Sequence, residues 1–384
     1  MKYVKVKDLG QIVTGNTPPT SDMSNYGNYM PFIKATDIIL GSRYTYVTEQ
    51  GYSEKSYKKY KANIVPKGST CIVTIGSIGK KITQAHTDLF VNQAINAILP
   101  YKQYDKDYIY YATKYVVLPQ LKIYDSGTTS GRENISKSSF SNIRLYVEED
   151  FSTQQKIASI LSAYDYLIEN NTRRIRLLEQ MAENLYKEWF VRFRFPEHEN
   201  VEMVNGLPKG WKVEKIKECV KRLPFGRTYK AKELSQDGEV IVIDQSTSDF
   251  LGFHNNTPDH HATFNSPIIL FGDHSCKFCL MIRNFSLGEN IIPFISKDTK
   301  QIDNYYLYFA THKLIVTEEY KRHWGRLSSM KILIPTIDIQ QKFNKLIIKN
   351  EKMKKLLFIQ NQLLTRQRDL LLPRLMSGKL EVKS

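Results

Sequence analysis

Tyr108-Ile109-Tyr110-Tyr111-Ala112-Thr113 returns later in the chain as Tyr306-Leu307-Tyr308-Phe309-Ala310-Thr311. Ile143-Arg144-Leu145-Tyr146-Val147 returns as Met330-Lys331-Ile332-Leu333-Ile334, and Gln154-Gln155-Lys156-Ile157 as Gln340-Gln341-Lys342-Phe343. Upstream, Lys2-Tyr3-Val4-Lys5-Val6-Lys7-Asp8 resembles Gly210-Trp211-Lys212-Val213-Glu214-Lys215-Ile216. The offset between the copies shrinks from about 209 to 198 to 186, so loops differ in length while the order of elements holds. Self-similarity of this kind marks a duplicated architecture. Whatever the first half folds into, the second must fold into as well.

Each half reads as a strand-rich region followed by one long helix. Short apolar or alternating runs at 64–65, 70–75 and 93–99, and again at 239–243, 267–271 and 290–295, are punctuated by Gly and Pro as strands are. Segments near 104–118 and 302–316 have helical spacing. In the first long helix, Ile157, Leu161, Tyr164, Ile168, Ile175, Leu178, Ala182, Leu185 and Trp189 follow a four-three alternation broken only by Asn171. Such heptads predict a coiled-coil seam. Asn171 either sets the register or faces solvent. The second helix continues the seam with Phe343, Ile347, Leu357, Leu364, Leu371 and Leu375, interrupted by Asn350, Lys354, Asn361 and Arg368, and Pro373 limits its length. Ser152-x-x-Gln155 and Asp338-x-x-Gln341 have capping-box spacing at the two helix starts. Helices of roughly 35–40 residues, near 55–60 Å at 1.5 Å per residue, outrun any small domain, so each is expected to bury its stripe against the other, antiparallel. Their outer faces are left either plain or as docking surfaces.

The expected fold class is α+β. Two α/β domains with curved, mostly antiparallel sheets, 1–150 and 196–336, are separated by two long antiparallel coiled-coil helices, 151–195 and 337–384, in a pseudo-twofold tandem repeat.

Composition narrows the function. With 41% apolar and 24% charged residues the chain has the makings of an ordinary folded core. Its 55 Lys+Arg against 39 Asp+Glu leave a charge of +16, which favours a polyanionic partner. The surplus is densest at 337–384, with 11 basic and 4 acidic groups. No apolar run approaches the roughly 18–20 residues that cross a bilayer, so the polyanion is expected to be nucleic acid and not a membrane. The N-terminus lacks the apolar core of a signal peptide, and four cysteines make no disulfide framework, which suits a cytoplasmic protein.

Catalytic motifs are missing. No Gly-x-Gly-x-x-Gly or Gly-x-x-x-x-Gly-Lys-Ser/Thr loop is present, and Asn16-Thr17-Pro18-Pro19 has the wrong order for an amino-methyltransferase motif. Cys276-Lys277-Phe278-Cys279 has no second Cys pair, though His260 and His261 are available for a zinc site; packing thiols are the simpler reading. No metal site and no catalytic residue are assigned.

The two long helices, Gln154-Gln155-Lys156-Ile157-Ala158-Ser159-Ile160-Leu161 through Glu188-Trp189-Phe190 and Gln362-Leu363-Leu364 through Ser377-Gly378-Lys379-Leu380, resemble the spacer helices of the specificity subunit of type I restriction–modification systems. Val242-Ile243-Asp244-Gln245-Ser246 and Leu270-Phe271-Gly272-Asp273-His274 are similar to a recurrent type of target-recognition domain in that family. The resemblance implies a non-catalytic subunit with no cofactor of its own. Each domain would read one half of a bipartite site in double-stranded DNA while the helices set the spacing. Two methyltransferase subunits would be recruited, and through the complex the restriction and translocase subunits. S-adenosylmethionine, ATP and Mg2+ would belong to those partners, and methylation would fall on adenine N6. The same residues also suit a related system with fused methyltransferase–nuclease partners; a plain coiled-coil scaffold is the remaining alternative.

Lys and Arg supply phosphate contacts, while polar side chains on loops read base edges. In the first domain the candidates are Lys34, Thr36, Ser77, Lys80 and Lys81, with Thr128, Ser130, Arg132 and Asn134 from a Gly-rich polar run. In the second they are Arg227, Tyr229, Lys230, Gln245, Ser246, His274, Lys277, Trp324 and Arg326. His274 is equally suited to a buried hydrogen-bonded role.

Overall fold

A computed structural model describes residues 1–126, 133–316 and 321–382. The chain divides into two compact units, Met1–Thr172 with Ile359–Ser384, and Arg173–Phe358. Each unit holds one mixed domain and a stretch of both long helices, so the unit boundaries cut the helices and not the domain junctions at 150 and 336.

The described strands of the first domain are β1 (Lys2–Lys5), β2 (Gly10–Thr14), β3 (Tyr26–Ile33), β4 (Gln50–Tyr52), β5 (Thr70–Val73), β6 (Ile82–Gln84), β7 (Phe90–Val91), β8 (Ile95–Pro100) and β9 (Arg144–Val147). Helices α1 (Lys106–Ala112) and α2 (Lys137–Asn142) precede β9, and α3 (Phe151–Tyr186) follows it. An antiparallel sheet runs β2-β8-β5-β6; a second runs β4-β3-β7 with β3 and β7 parallel; β1 pairs with β9, Lys2 opposite Val147. All four residues of β5 are buried, which is why this strand reads as a solid short run and not as an alternation. Asp105 caps α1, its carboxylate accepting from the Asp107 and Tyr108 amides at 3.0 and 2.9 Å. That helix is aromatic on every side because it lies between layers. Tyr108, Ile109, Tyr110 and Tyr111 join Ile98 of the sheet and Ile157, Leu161 and Leu375 of the long helices in one core.

Apart from a short added hairpin, Met203–Val204 paired with Leu207–Pro208, the second domain repeats the plan of the first. Its strands are β10 (Lys212–Lys215), β11 (Val220–Arg222), β12 (Val240–Ile243), β13 (Gly252–His254), β14 (Ile268–Gly272), β15 (Phe278–Met281), β16 (Phe285–Leu287), β17 (Ile291–Ser296) and β18 (Lys331–Ile334), with helices α4 (Asn304–Thr311), α5 (Trp324–Ser329) and α6 (Ile337–Met376). The sheets run β11-β17-β14-β15 and β13-β12-β16, the β12–β16 pair is parallel, and β10 pairs with β18, Lys212 opposite Ile334. Adding nine to a strand of the first domain names its counterpart. The core gathers Phe271, Phe294, Tyr305 and Tyr306 around Trp189, Phe190, Trp211 and Phe343.

The first glutamine of each Gln-Gln-Lys ties domain to helix. Gln154 is fully buried; its carbonyl accepts from the Asp105 amide at 2.8 Å and its NH2 donates to the Glu148 carbonyl at 2.8 Å. Gln340 does the same with the Asp303 amide and the Gln301 and Pro335 carbonyls, at 2.8, 2.9 and 2.8 Å. Asp105 and Asp303 are the caps of α1 and α4. The repeated motif is thus a buried strut between two helix starts.

None of the fifteen seam residues named from the heptads is exposed: Ile157, Leu161, Ala182, Trp189, Phe343, Ile347, Leu357 and Leu375 are buried, and Tyr164, Ile168, Ile175, Leu178, Leu185, Leu364 and Leu371 are half-buried. Asn171 is buried, its NH2 donating to Gln360 at 3.2 Å, so of the two sequence-based options it takes the seam. In the first unit the helices run antiparallel, Asp165 against Arg368 and Thr172 against Asn361. In the second, Lys354 meets Glu179 at 3.2 Å, and Tyr186 and Trp189 lie near Phe343. Of the polar residues that interrupt the second heptad series, Lys354, Asn361 and Arg368 are therefore seam members with partners, and Asn350 is buried. Arg368 is the most enclosed; its guanidinium holds Asp165 and also Asp369 at 2.8 Å, while Tyr111 donates to Asp165 at 2.5 Å.

Two expectations about helix ends are corrected. At the start of α3 the cap is Asp150 and not Ser152: its carboxylate accepts from both the amide and the hydroxyl of Thr153 at 2.7 Å, two donors that a serine two residues later does not meet. Pro373 lies inside α6, which continues to Met376. The missing Pro N–H falls in the last turn, and Gly378, at φ +70°, then ends the helix as the left-handed cap position favours.

Candidate nucleic-acid interface

In each domain the loops carrying the candidates are drawn together by their own side chains. In the first, the loop after β3 folds on Asp37, whose carboxylate accepts from the Lys34 and Glu49 amides at 2.8 and 3.3 Å. Lys81, just before β6, donates its ammonium to the Ala35 carbonyl at 2.7 Å. Glu133 grips the turn between β5 and β6 from the other side: its carboxylate accepts from the Ile78 amide at 3.1 Å and its carbonyl from the Gly76 amide at 2.9 Å. Asn134 bridges Ile75, and its amide donates to Asp125. Lys34, Thr36, Ser77, Lys80, Lys81 and Asn134 thus belong to one hydrogen-bonded cluster of loops. Thr36, Ser77 and Lys80 are exposed; Lys34, Lys81 and Asn134 are half-buried, and Lys34 is further tied to Glu49 at 2.9 Å. Thr128, Ser130 and Arg132 lie outside the described residues.

The second domain builds its cluster on Asp244 and Asp273. Asp244 accepts from the Ser246 amide at 3.1 Å and hydroxyl at 2.6 Å. The side-chain carbonyl of Gln245 accepts from the His274 amide at 3.0 Å, which engages the acceptor end of that side chain. Lys277, just before β15, donates to the carbonyls of Asp244 at 3.3 Å and of Ser248. Asp273 then anchors α5, accepting from the His323 and Trp324 amides at 3.1 and 2.9 Å. Gln245, Ser246, His274, Lys277 and Trp324 are brought into this cluster, with the exposed Arg326 two residues along α5. The indole of Trp324 packs on Phe271 and Phe294 beneath the Arg222 guanidinium, 5.6 Å from the ring centroid.

Arg227, Tyr229 and Lys230 lie elsewhere, alongside β16, where the Tyr229 amide donates to the Leu287 carbonyl. Tyr229 is only 4% exposed: it stacks on His254 at 4.3 Å and is roofed by Arg227, which pairs with Glu233 at 3.0 Å. A ring so covered is a core group and not an open stacking platform, which corrects its place among the DNA-reading candidates. Lys230 is exposed.

The residues that sequence reasoning missed are the acids. Asp37 and Glu133 shape the first cluster, Asp244 and Asp273 the second; the last two stood inside the quoted motifs without being singled out, and the signal for the first two was a lone acid inside a polar loop. Burial raises the Cys279 thiol, and Cys276 sits in the β14–β15 turn at φ +55°. His260 is engaged by Phe285 and the Phe225 carbonyl. Among the described residues no group of three or more His, Cys, Asp or Glu side chains could hold a metal ion, and no helix is long and apolar enough to cross a membrane.

What these clusters offer chemically is cations at the rim, amides and hydroxyls behind them, and a backbone held by half-buried acids. That arrangement suits phosphate positioning combined with base-edge reading. Comparison with known proteins points the same way. Residues 1–180 match the family described as type I restriction modification DNA specificity domain. The chain is 27% identical over 415 residues to the MjaIX specificity subunit of a type I restriction enzyme of Methanocaldococcus jannaschii, covering 99% of this chain and 93% of that one. It is 30% identical over 184 residues to the HindI specificity subunit of Haemophilus influenzae, covering 45% and 38%. Its fold is similar to the crystal structure of the S subunit of a type I restriction–modification system from M. genitalium, with a TM-score of 0.58, 15% identity and coverage of 98% and 96%.

Proposed function

We propose that the chain is a DNA specificity subunit of a type I restriction–modification system and that its two domains read the two halves of a bipartite site in double-stranded DNA. One observation carries this reading. The two domains share one strand plan, yet the clusters built on it differ in every reading side chain: Lys34, Thr36, Ser77 and Asn134 in one, Gln245, Ser246, His274 and Arg326 in the other. Equal frames with unlike side chains suit an asymmetric target.

The roles follow from the chemistry. Lys80 and Arg326 are exposed cations that suit phosphate oxygens, which carry affinity and register. Gln245, through its NH2, suits an acceptor on a base edge, and Asn134, whose side chain offers both a donor and an acceptor, suits adenine. The long helices serve as the spacer, and their outward apolar side chains as the seat of methyltransferase subunits. In the second unit Leu177, Met181, Leu185 and Leu346 line a groove of about 740 Å³, with Leu177 and Met181 more than half exposed, and an exposed apolar patch of this kind marks an interaction surface. S-adenosylmethionine, ATP and Mg2+ are used by those partners, which methylate adenine N6, and restriction and translocase subunits join through the complex.

The test is to co-express the chain with the methyltransferase subunit of its own locus in a methylation-free host and map N6-methyladenine across the genome. The expected result is one split motif of two short half-sites at a fixed gap. A continuous motif, or none although both proteins are soluble and associated, contradicts the proposal. A second arm incubates the isolated chain with labelled S-adenosylmethionine and DNA, where no transfer is expected.

A further inference from the structure

Lys81 and Lys277 occupy equivalent positions. Each is the residue immediately before the second strand of a hairpin, β5–β6 in the first domain and β14–β15 in the second. Little else in the two turns is alike. The first, between Val73 and Ile82, contains Gly-Ser-Ile-Gly, and the second, between Gly272 and Phe278, is shorter and contains Asp-His-Ser-Cys. Through this divergence the lysine is present in both.

Both lysines make the same connection. The Lys81 ammonium donates to the Ala35 carbonyl, in the loop that leaves β3 carrying Lys34 and Thr36. The Lys277 ammonium donates to the Asp244 and Ser248 carbonyls, on either side of Gln245 and Ser246 in the loop that leaves β12. Loop carbonyls beyond the end of a strand have no ladder donor and need one from elsewhere. An ammonium on a four-carbon stem supplies three rotatable donors and spans two carbonyls that a rigid guanidinium fork would not fit. Both side chains are half-buried, so the charge is directed into the loop and not laid open along the rim.

We propose that Lys81 and Lys277 are positioning residues, each holding its domain's reading loop in the geometry that lets neighbouring side chains discriminate bases, and not phosphate contacts. The proposal rests on the reading of the chain as a two-domain specificity subunit, and deepens it by assigning one specificity determinant to each domain.

The experiment uses the assembled methyltransferase complex carrying Lys277→Met or Lys81→Met, variants that keep most of the stem and lose the donors. Each is tested on DNA libraries randomised in one half-site at a time, and its binding is followed as a function of salt. For Lys277→Met, discrimination among base pairs is expected to fall roughly tenfold in one half-site only, the size of one lost base contact, with the slope of affinity against salt unchanged. Lys81→Met is expected to relax the other half-site in the same way. A phosphate contact would instead lower affinity uniformly across sequences and reduce the salt slope by about 0.9 per contact, and that result overturns the proposal. So does equal loss in both half-sites, the mark of general destabilisation, or unchanged discrimination. Failure of the wild-type complex to modify any split motif would refute the underlying function; success of the wild type with unaffected variants would refute this inference alone.

Discussion

Two kinds of buried charge act in this chain, and they respond differently to change. Asp165 and Arg368 are an enclosed ion pair completed by Tyr111 and Asp369. Burial works against the Arg368 charge, but Asp165 beside it more than offsets this and holds the guanidinium protonated. Removing one partner strands the other, so Arg368→Ala should lower stability by about 3–5 kcal/mol, whereas the paired change Asp165→Leu with Arg368→Met should be close to neutral. Chemical denaturation of the three proteins decides: if the double variant is as damaged as the single, the pair is more than a satisfied burial. The histidines act through protons. Burial holds His254 and His260 below the ordinary imidazole value of 6.5. Above that pH both folded and unfolded states are neutral there; below it the unfolded chain takes up protons that the folded domain resists, so stability falls as pH drops. All three tryptophans, Trp189, Trp211 and Trp324, lie in the second unit, so their fluorescence follows that unit. Its unfolding midpoint should fall between pH 7.5 and 5.5, and His254→Gln with His260→Gln should flatten the trend. A flat profile in the parent chain would contradict this. Single residues were also the least legible in sequence: nothing local distinguishes Tyr229, covered by His254 and Arg227, from an exposed tyrosine on a basic loop, because its cover comes from residues brought over by the sheet.

At the level of elements the sequence was far more informative, and the reason is periodicity. A heptad is a local pattern, so the seam from Ile157 to Trp189 could be read directly, while Asn171 stayed open between register and solvent until the structure buried it. The polar breaks at Lys354, Asn361 and Arg368 looked like weakness because their partners, Glu179, Thr172 and Asp165, lie 175 or more positions away in the chain. Helix starts were blurred for a related reason: Ser152 and Asp150 both offer an acceptor, and only the donors of Thr153 separate them. The strands could be listed as runs, but their order, with a parallel pair inside each small sheet, is set by pairing across loops. The helix faces carry a test of assembly. Leu177 and Met181 are exposed and line the groove in the second unit, so Leu177→Lys with Met181→Lys should sharply weaken co-purification with the methyltransferase subunit while leaving thermal unfolding of the isolated chain within a degree or two. Undiminished assembly would move the docking surface elsewhere.

For the molecule as a whole, the duplication is the fact from which the rest follows. It was visible in six-residue echoes, and the structure extends it to nine strand pairs, matched helix caps and matched glutamine struts. The +16 charge fits a polyanionic partner. What a duplication cannot reveal is which bases each copy reads, since the loops are where the copies diverge. The central claim is that reading is divided between the domains, and a domain exchange tests it most directly. Residues 1–150 are replaced by the corresponding domain of a specificity subunit with a different known target, and the adenine methylation made by the assembled complex is mapped. The account predicts a hybrid motif with one half-site replaced, the other unchanged and the gap preserved. Change in both halves, from a soluble and assembled complex, would contradict it.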